Sequence, residues 1–242
     1  MGAEARVTEL LYYQDAYLRE FEARVVAVGP EGIELDRTAF YPGGGGQPCD
    51  VGRLSIRGSI VPVSGAKKVE GRVWHQLDGD MPSPGDTVQA SLDWDRRLAL
   101  MRTHTAMHIL CGVVWRGYGA SVTGGNMEPL QGRMDFEFER MRQELVHEIE
   151  ARIQAEVEAA RPVRTRSLPR AEAFAIPDLI RTKINLLPAG IQEVRVVEIV
   201  GLDLQADGGT HVSDTGQVGR IRIVDYKSKG AINKRLMVAL DR

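Results

Sequence analysis

The sequence changes character near Asp93-Trp94, and that change limits the folds open to it. Before it, short stretches alternate apolar with polar residues. They are Glu22-Ala-Arg-Val-Val-Ala-Val28, Gly32-Ile-Glu-Leu35, Gly52-Arg-Leu-Ser-Ile-Arg57, Val73 to Leu77 and Thr87 to Leu92, separated by Gly, Pro and Asp. Such spacing predicts a small antiparallel β-barrel or sandwich over residues 1–95. After it, residues 95–115 have few breakers and a 3.6-residue apolar period, so they should contain a helix. A second helix is expected from about Met141 to Arg161, stopped by Pro162, with Leu145, Ile149, Ile153 and Val157 along one stripe. Strands are expected at Val163 to Leu168, Val194 to Val200, Gly219 to Asp225 and Arg235 to Leu240. The fold class is therefore α+β: a small antiparallel β-barrel, then an α+β domain over residues 96–242.

Composition narrows the function classes. Apolar residues make up 43% and charged residues 26% of 242, which excludes a disordered tail, a fibre or a low-complexity scaffold. No run of about 18 apolar residues exists, so no membrane span is expected. The first residues carry Glu4 and Glu9 where a secretory leader would be basic and then apolar. Two cysteines make no disulfide framework, and a reducing, cytoplasmic setting fits. The net charge of −2 gives no overall nucleic-acid footprint. Locally, however, seven basic residues face two acidic ones from Gly219 onward, and Arg161 to Lys183 also leans basic.

Chemistry concentrates in three segments. His104 and His108 lie four apart in the first helix, so both imidazoles sit on one face and can reach one metal ion. Asp207 and His211 are also four apart, but Gly208 and Gly209 argue for a turn entering a strand. Three imidazoles and one carboxylate suit a borderline divalent ion. Alternatively, Asp207 only orients a histidine, leaving three nitrogen ligands and an open position. Cys111 shares the face of His104 and His108, but about 10.5 Å of helical rise from residue 104 places it too far along the axis. It reads as a core cysteine. His147 reads as solvated, and His75 has no partner in sequence. The third segment, Phe40-Tyr-Pro-Gly-Gly-Gly-Gly-Gln-Pro48, holds four consecutive glycines, which call for a bare main chain or a hairpin loop. It lacks the spacing of a P-loop or dinucleotide site.

Together these segments resemble a known family. Arg102 to Leu110 resembles the first metal motif of the alanyl-tRNA synthetase editing domain. Ala206 to Gly219 resembles the second, usually Cys-Gly-Gly-Thr-His followed by Asn-Thr-Gly-Glu-Ile-Gly. Phe40 to Pro48 resembles the glycine-rich motif of the preceding barrel, Met134-Asp-Phe136 the strand after the first helix, and Lys229 to Leu236 the closing segment. No aminoacylation domain fits within 242 residues, so the resemblance is to the free-standing AlaX proteins of medium length.

The resemblance implies hydrolysis of mischarged Ser-tRNA(Ala), and of Gly-tRNA(Ala), with zinc held by His104, His108 and His211. At the fourth position this chain departs, with Asp207 where the family has cysteine. Carboxylate oxygen is a harder donor, which brings other divalent ions such as Mn2+ into play. The resemblance also places Thr123 against the seryl hydroxyl. Gln205 borders the metal motif and is a candidate substrate contact. Gly43, Gly44, Gly45, Gly46 and Gln47, with Lys227 and Lys229, are the candidate tRNA contacts. Two rival functions remain open: an editing deacylase for Ser-tRNA(Thr), as in threonyl-tRNA synthetases, and a non-catalytic metal-stabilised tRNA-binding module. The sequence leaves the oligomeric state open.

Overall fold

The computed structural model describes residues 7–182, 187 and 190–242; Glu4 and Lys183 lie outside them. The chain divides into two compact units, Met1–Leu98 and Ala99–Arg242.

In the first unit the elements are β1 (Glu9–Leu10), α1 (Leu11–Gln14), β2 (Glu20–Gly29), β3 (Gly32–Leu35) and β4 (Arg37–Thr38). They continue with β5 (Gly52–Ile56), β6 (Ser59–Val69), β7 (Arg72–Leu77) and β8 (Thr87–Leu92). Six of the strands close an antiparallel barrel in the order β2-β3-β7-β6-β5-β8. The inward halves of the alternating patterns fill it, with Ile33, Leu35, Leu54, Val73 and Val88 among the buried residues. All the strand segments read from the sequence form, within a residue or two. The two-residue strands β1 and β4 escape sequence reading, and of the six barrel strands the one it passes over is β6. Pro62 and the Gly65 beside its register shift disguise its alternation.

A fully buried ion pair stands beside this apolar filling. Arg97 forks onto the Asp50 carboxylate and also donates to the carbonyls of Ala39 and Ala16. Asp50 in turn accepts from the Tyr41 amide at 2.7 Å. The pair therefore braces both ends of the glycine segment.

Helix α2 (Trp94–Tyr118) starts where Asp93 accepts the Arg96 amide with its side chain, satisfying an otherwise orphaned donor. The division between the units falls in its first turns. Every residue from Thr103 to Val114 is buried, so this helix is enclosed on all sides rather than along a single stripe. Then follow β9 (Val122–Glu128), β10 (Gln131–Glu137), α3 (Gln143–Glu158), β11 (Val163–Pro169), α4 (Arg170–Ala175), β12 (Glu193–Ile199), β13 (Asp203–Ala206), a 3-10 turn at Thr215–Val218, β14 (Ile221–Ser228) and β15 (Asn233–Leu240). They build one sheet in the order β14-β15-β10-β9 and another in the order β11-β12-β13. Helix α3 buries Val146, Ile149, Ile153 and Val157. Val146, not Leu145, completes the stripe, because i+3 and i+4 steps alternate on a 3.6-residue period. The flank of that stripe is useful too: Glu150 and Gln154 accept the amides of Ile223 and Ile221 and so cover that part of the β14 edge.

Candidate metal centre

His104 and His108 stand one turn apart in the buried stretch of α2, with ring centroids 5.2 Å apart. The segment from Asp207 to His211 brings the other two groups. It does not enter a strand, as the sequence suggests, but leaves one: β13 ends at Ala206, and the chain turns at once. The turn is closed by Asp207 itself, whose carboxylate accepts the Gly209 amide at 2.7 Å. Its backbone is held from the other side, where Arg195 of β12 donates to the Asp207 carbonyl at 3.0 Å. The turn stacks His211 against His104, with centroids 4.3 Å apart and 4.8 Å from His108. The potential ligand atoms of His104, His108, Asp207 and His211 all lie within 4.8 Å of one another.

Two of the three imidazoles are visibly aimed. His108 Nδ1 meets Asp203 Oδ2 at 3.2 Å, and His211 Nδ1 meets the Thr105 hydroxyl at 3.2 Å. Their Nε2 atoms therefore face inward. Asp207 lies on that inner side, with Oδ1 3.4 Å from His104 Nε2 and Oδ2 3.0 Å from His211 Nε2. An orienting carboxylate would sit on the outer nitrogens, which is where Asp203 is. Asp207 takes the position of a fourth donor.

The electrostatics suit a cation. Burial drives His104 down to about 4, against the pull of Asp207. Burial, followed by the nearby His104, takes His211 well below its ordinary value. Burial also works against charge on His108, but the Asp203 hydrogen bond and the Asp207 carboxylate outweigh it and raise its pKa. Asp207 stays ionised: burial opposes this, yet the surrounding histidines hold its pKa well below the carboxylate range. Lone pairs on His104 and His211 and one anionic oxygen are thus available at neutral pH. Tetrahedral ligands at zinc distances stand about 3.4 Å apart, so small side-chain rotations suffice to close this set around one ion. By donor type and spacing, the four residues fit a divalent metal.

Two relatives and two family models place the chain. The alanyl-tRNA editing protein AlaX-M of Saccharolobus solfataricus is 39% identical over 236 residues, 95% of this chain and 98% of that protein. The protein of the same name from Methanosarcina barkeri is 36% identical over 97% of this chain and 99% of its own length. The chain belongs to the AlaX-M family of alanyl-tRNA editing proteins. The model of the threonyl and alanyl tRNA synthetase second additional domain matches residues 194–237, and that of class II (A) tRNA synthetases matches residues 3–96. The alanine–tRNA ligase of Korarchaeum cryptofilum is 42% identical over 219 residues, but this chain spans only 24% of it.

Other sequence candidates fall elsewhere. Thr123 is an exposed residue of strand β9, and its hydroxyl donates to Asn233 Oδ1 at 2.8 Å. The Gln205 amide donates to Asp203 Oδ2 at 2.6 Å, placing it behind His108. Lys227 and Lys229 are exposed at the β14–β15 hairpin, and Lys227 pairs with Asp225 at 3.0 Å. The glycine run is an ordered turn. Gly43, Gly44, Gly45 and Gly46 all have positive φ, which explains their identity. Gly44 and Gln47 exchange backbone hydrogen bonds, and Gln47 is buried. Cys111 is buried, with its thiol pKa pushed up, and is no member of the cluster. His147 is exposed.

Sequence reading missed Asp203 and Thr105, the partners of the outer nitrogens. Thr105 adjoins His104, but nothing in a one-dimensional pattern distinguishes it from a core threonine. Asp203 lies 95 residues from His108.

Proposed function

We propose that this chain is a trans-editing deacylase that hydrolyses the ester of mischarged Ser-tRNA(Ala), and of Gly-tRNA(Ala). The observation that carries this is the convergence of His104, His108, Asp207 and His211 in a chain that matches AlaX-M proteins over nearly its whole length. In this reading the four side chains hold a divalent ion, with zinc the first choice and Mn2+ a competitor because of the Asp207 carboxylate. When bound, the ion supplies Lewis acidity for ester hydrolysis.

The chain's own residues do the rest. His104 and His211, kept neutral by burial, present lone pairs; ionised Asp207 balances charge. Thr123 Oγ1 retains acceptor capacity beyond its bond to Asn233, and contacts the seryl hydroxyl. A site built to bond that hydroxyl disfavours alanine, whose methyl leaves a polar group unpaired. Lys227 and Lys229 meet tRNA phosphates, and the Gly43–Gln47 turn offers the acceptor end a surface without side chains at four positions. The two free cysteines suit a reducing, cytoplasmic setting.

A deacylation assay tests the reading. Purified protein should hydrolyse Ser-tRNA(Ala) far faster than Ala-tRNA(Ala) or Ser-tRNA(Thr). Preference for Ser-tRNA(Thr) would move the chain to the threonyl class, and no hydrolysis by metal-loaded protein would leave a binding module. Asp207→Cys should shift metal preference from Mn2+ toward Zn2+ in competition dialysis.

A further inference from the structure

The Asp203 carboxylate is fully buried, with no solvent-exposed side-chain surface. A buried charge of this kind is costly unless it is paired. Its two oxygens have different partners. Oδ1 faces Arg181 Nε at 3.7 Å, an ion pair without a hydrogen bond. Oδ2 receives the short contacts: the Gln205 amide at 2.6 Å and His108 Nδ1 at 3.2 Å. A carboxylate present only to balance Arg181 would aim its hydrogen bonds at the guanidinium. This one aims them at the histidine.

The surrounding structure is shaped to allow that contact. Gly112 follows His108 by one helical turn, on the same face of α2. A Cβ at Gly112 would stand 3.0 Å from Asp203 Cβ and 3.0 Å from Leu202 Cγ, so with any other residue there the start of β13 would have to give by a few tenths of an ångström. Arg181 is fixed in its turn, with its guanidinium 4.7 Å over the Trp115 ring, one further step along α2. Helix α2 thus carries the ligand, the clearance and the platform at residues 108, 112 and 115.

We infer that Asp203 is a positioning residue of the metal centre: by accepting the Nδ1 proton it holds His108 in the tautomer that presents Nε2 to the ion, with Gln205 and Arg181 holding Asp203. Carboxylates behind ligating imidazoles fix ring orientation and raise ligand basicity, and losing one weakens metal binding by about 10–100-fold. The inference rests on the metal-centre reading above, but its experiment contains no tRNA.

Zinc affinity is measured on the full-length protein by competition with a chromophoric chelator, for wild type and Asp203→Asn. The expected result is about tenfold weaker binding in Asp203→Asn, toward the low end of that range, with an unchanged far-UV circular dichroism spectrum. The second measurement needs no variant. Nitrogen-15 NMR of wild-type His108 should show the proton on Nδ1, and the zinc-induced shift on Nε2. Equal affinities in an intact Asp203→Asn, or zinc on Nδ1, would overturn the inference while leaving the deacylase reading intact. A wild type that binds no zinc would overturn this inference along with the metal-centre reading.

Discussion

His75 in the barrel and His108 and His211 in the second unit are all buried, yet their two ring nitrogens are used differently. His75 Nδ1 donates to the Ile33 carbonyl at 3.3 Å, and its Nε2 accepts the Thr38 hydroxyl at 2.8 Å. Thr38 Oγ1 accepts in turn from the Phe40 amide. Both nitrogens are consumed by the protein, burial lowers the pKa to about 4, and the ring is a neutral strut. His108 and His211 spend only Nδ1 on an outward partner, and the inner Nε2 of His211 meets Asp207, itself one of the four converging groups. A buried histidine is free to bind a ligand when the fold satisfies one nitrogen and leaves the other facing a shared point. Burial alone does not distinguish the two cases.

The largest effect expected follows from that contrast. His211→Ala should lose bound metal and reduce Ser-tRNA(Ala) hydrolysis by more than the ~10–100-fold typical of an outer-shell partner. His75→Gln should keep both metal and activity. Elemental analysis and single-turnover deacylation would show it, and the contrast fails if the two variants behave alike. Chelation should lower the Tm of wild type, since an ion that binds only the folded chain stabilises it, and should leave His211→Ala unmoved.

The next effect concerns the barrel's buried ion pair. Arg97→Met leaves Asp50 buried and uncompensated, and should cost about 3–5 kcal/mol in urea denaturation. Adding Asp50→Leu to that variant should recover most of the loss, because the uncompensated charge is gone.

A smaller, pH-dependent effect sharpens the contrast from the His75 side. Its folded pKa, about 4, lies below the ordinary 6.5. Between those values the unfolded chain binds a proton that the native barrel refuses. Its contribution to stability should therefore be constant above pH 6.5 and fall as pH drops toward 4, by up to ~3 kcal/mol. Comparing wild type with His75→Gln at pH 7.5 and 4.5 isolates it; parallel profiles would refute it. Smallest of all, Lys227→Ala and Lys229→Ala should each weaken tRNA binding slightly and reduce the salt slope by about one, with metal content unchanged.

Local pattern decided a good deal. Alternation over Glu22–Val28 or Thr87–Leu92 marks one buried face of a strand, and the structure forms those strands. The spacing of His104 and His108 places them on one helical face, and the glycines at 208 and 209 announce a turn. These are interactions within a few residues, which sequence records directly. Where local signals conflict, reading fails: Pro62 and Gly65 hide β6, and the strand beside Asp207 and His211 precedes them as β13 instead of following them.

The amino-acid order therefore determined five of the six barrel strands, the two long helices and which side chains have the chemistry to bind a cation. Only the tertiary structure decided that Asp207 faces the inner nitrogens, that Asp203 and Thr105 take the outer ones, and that His75 has none to offer. The Asp203, Thr105 and His75 assignments depend on hydrogen bonds between residues 37 to 106 positions apart, and no periodicity along a chain encodes which distant atoms packing will bring within 3.3 Å.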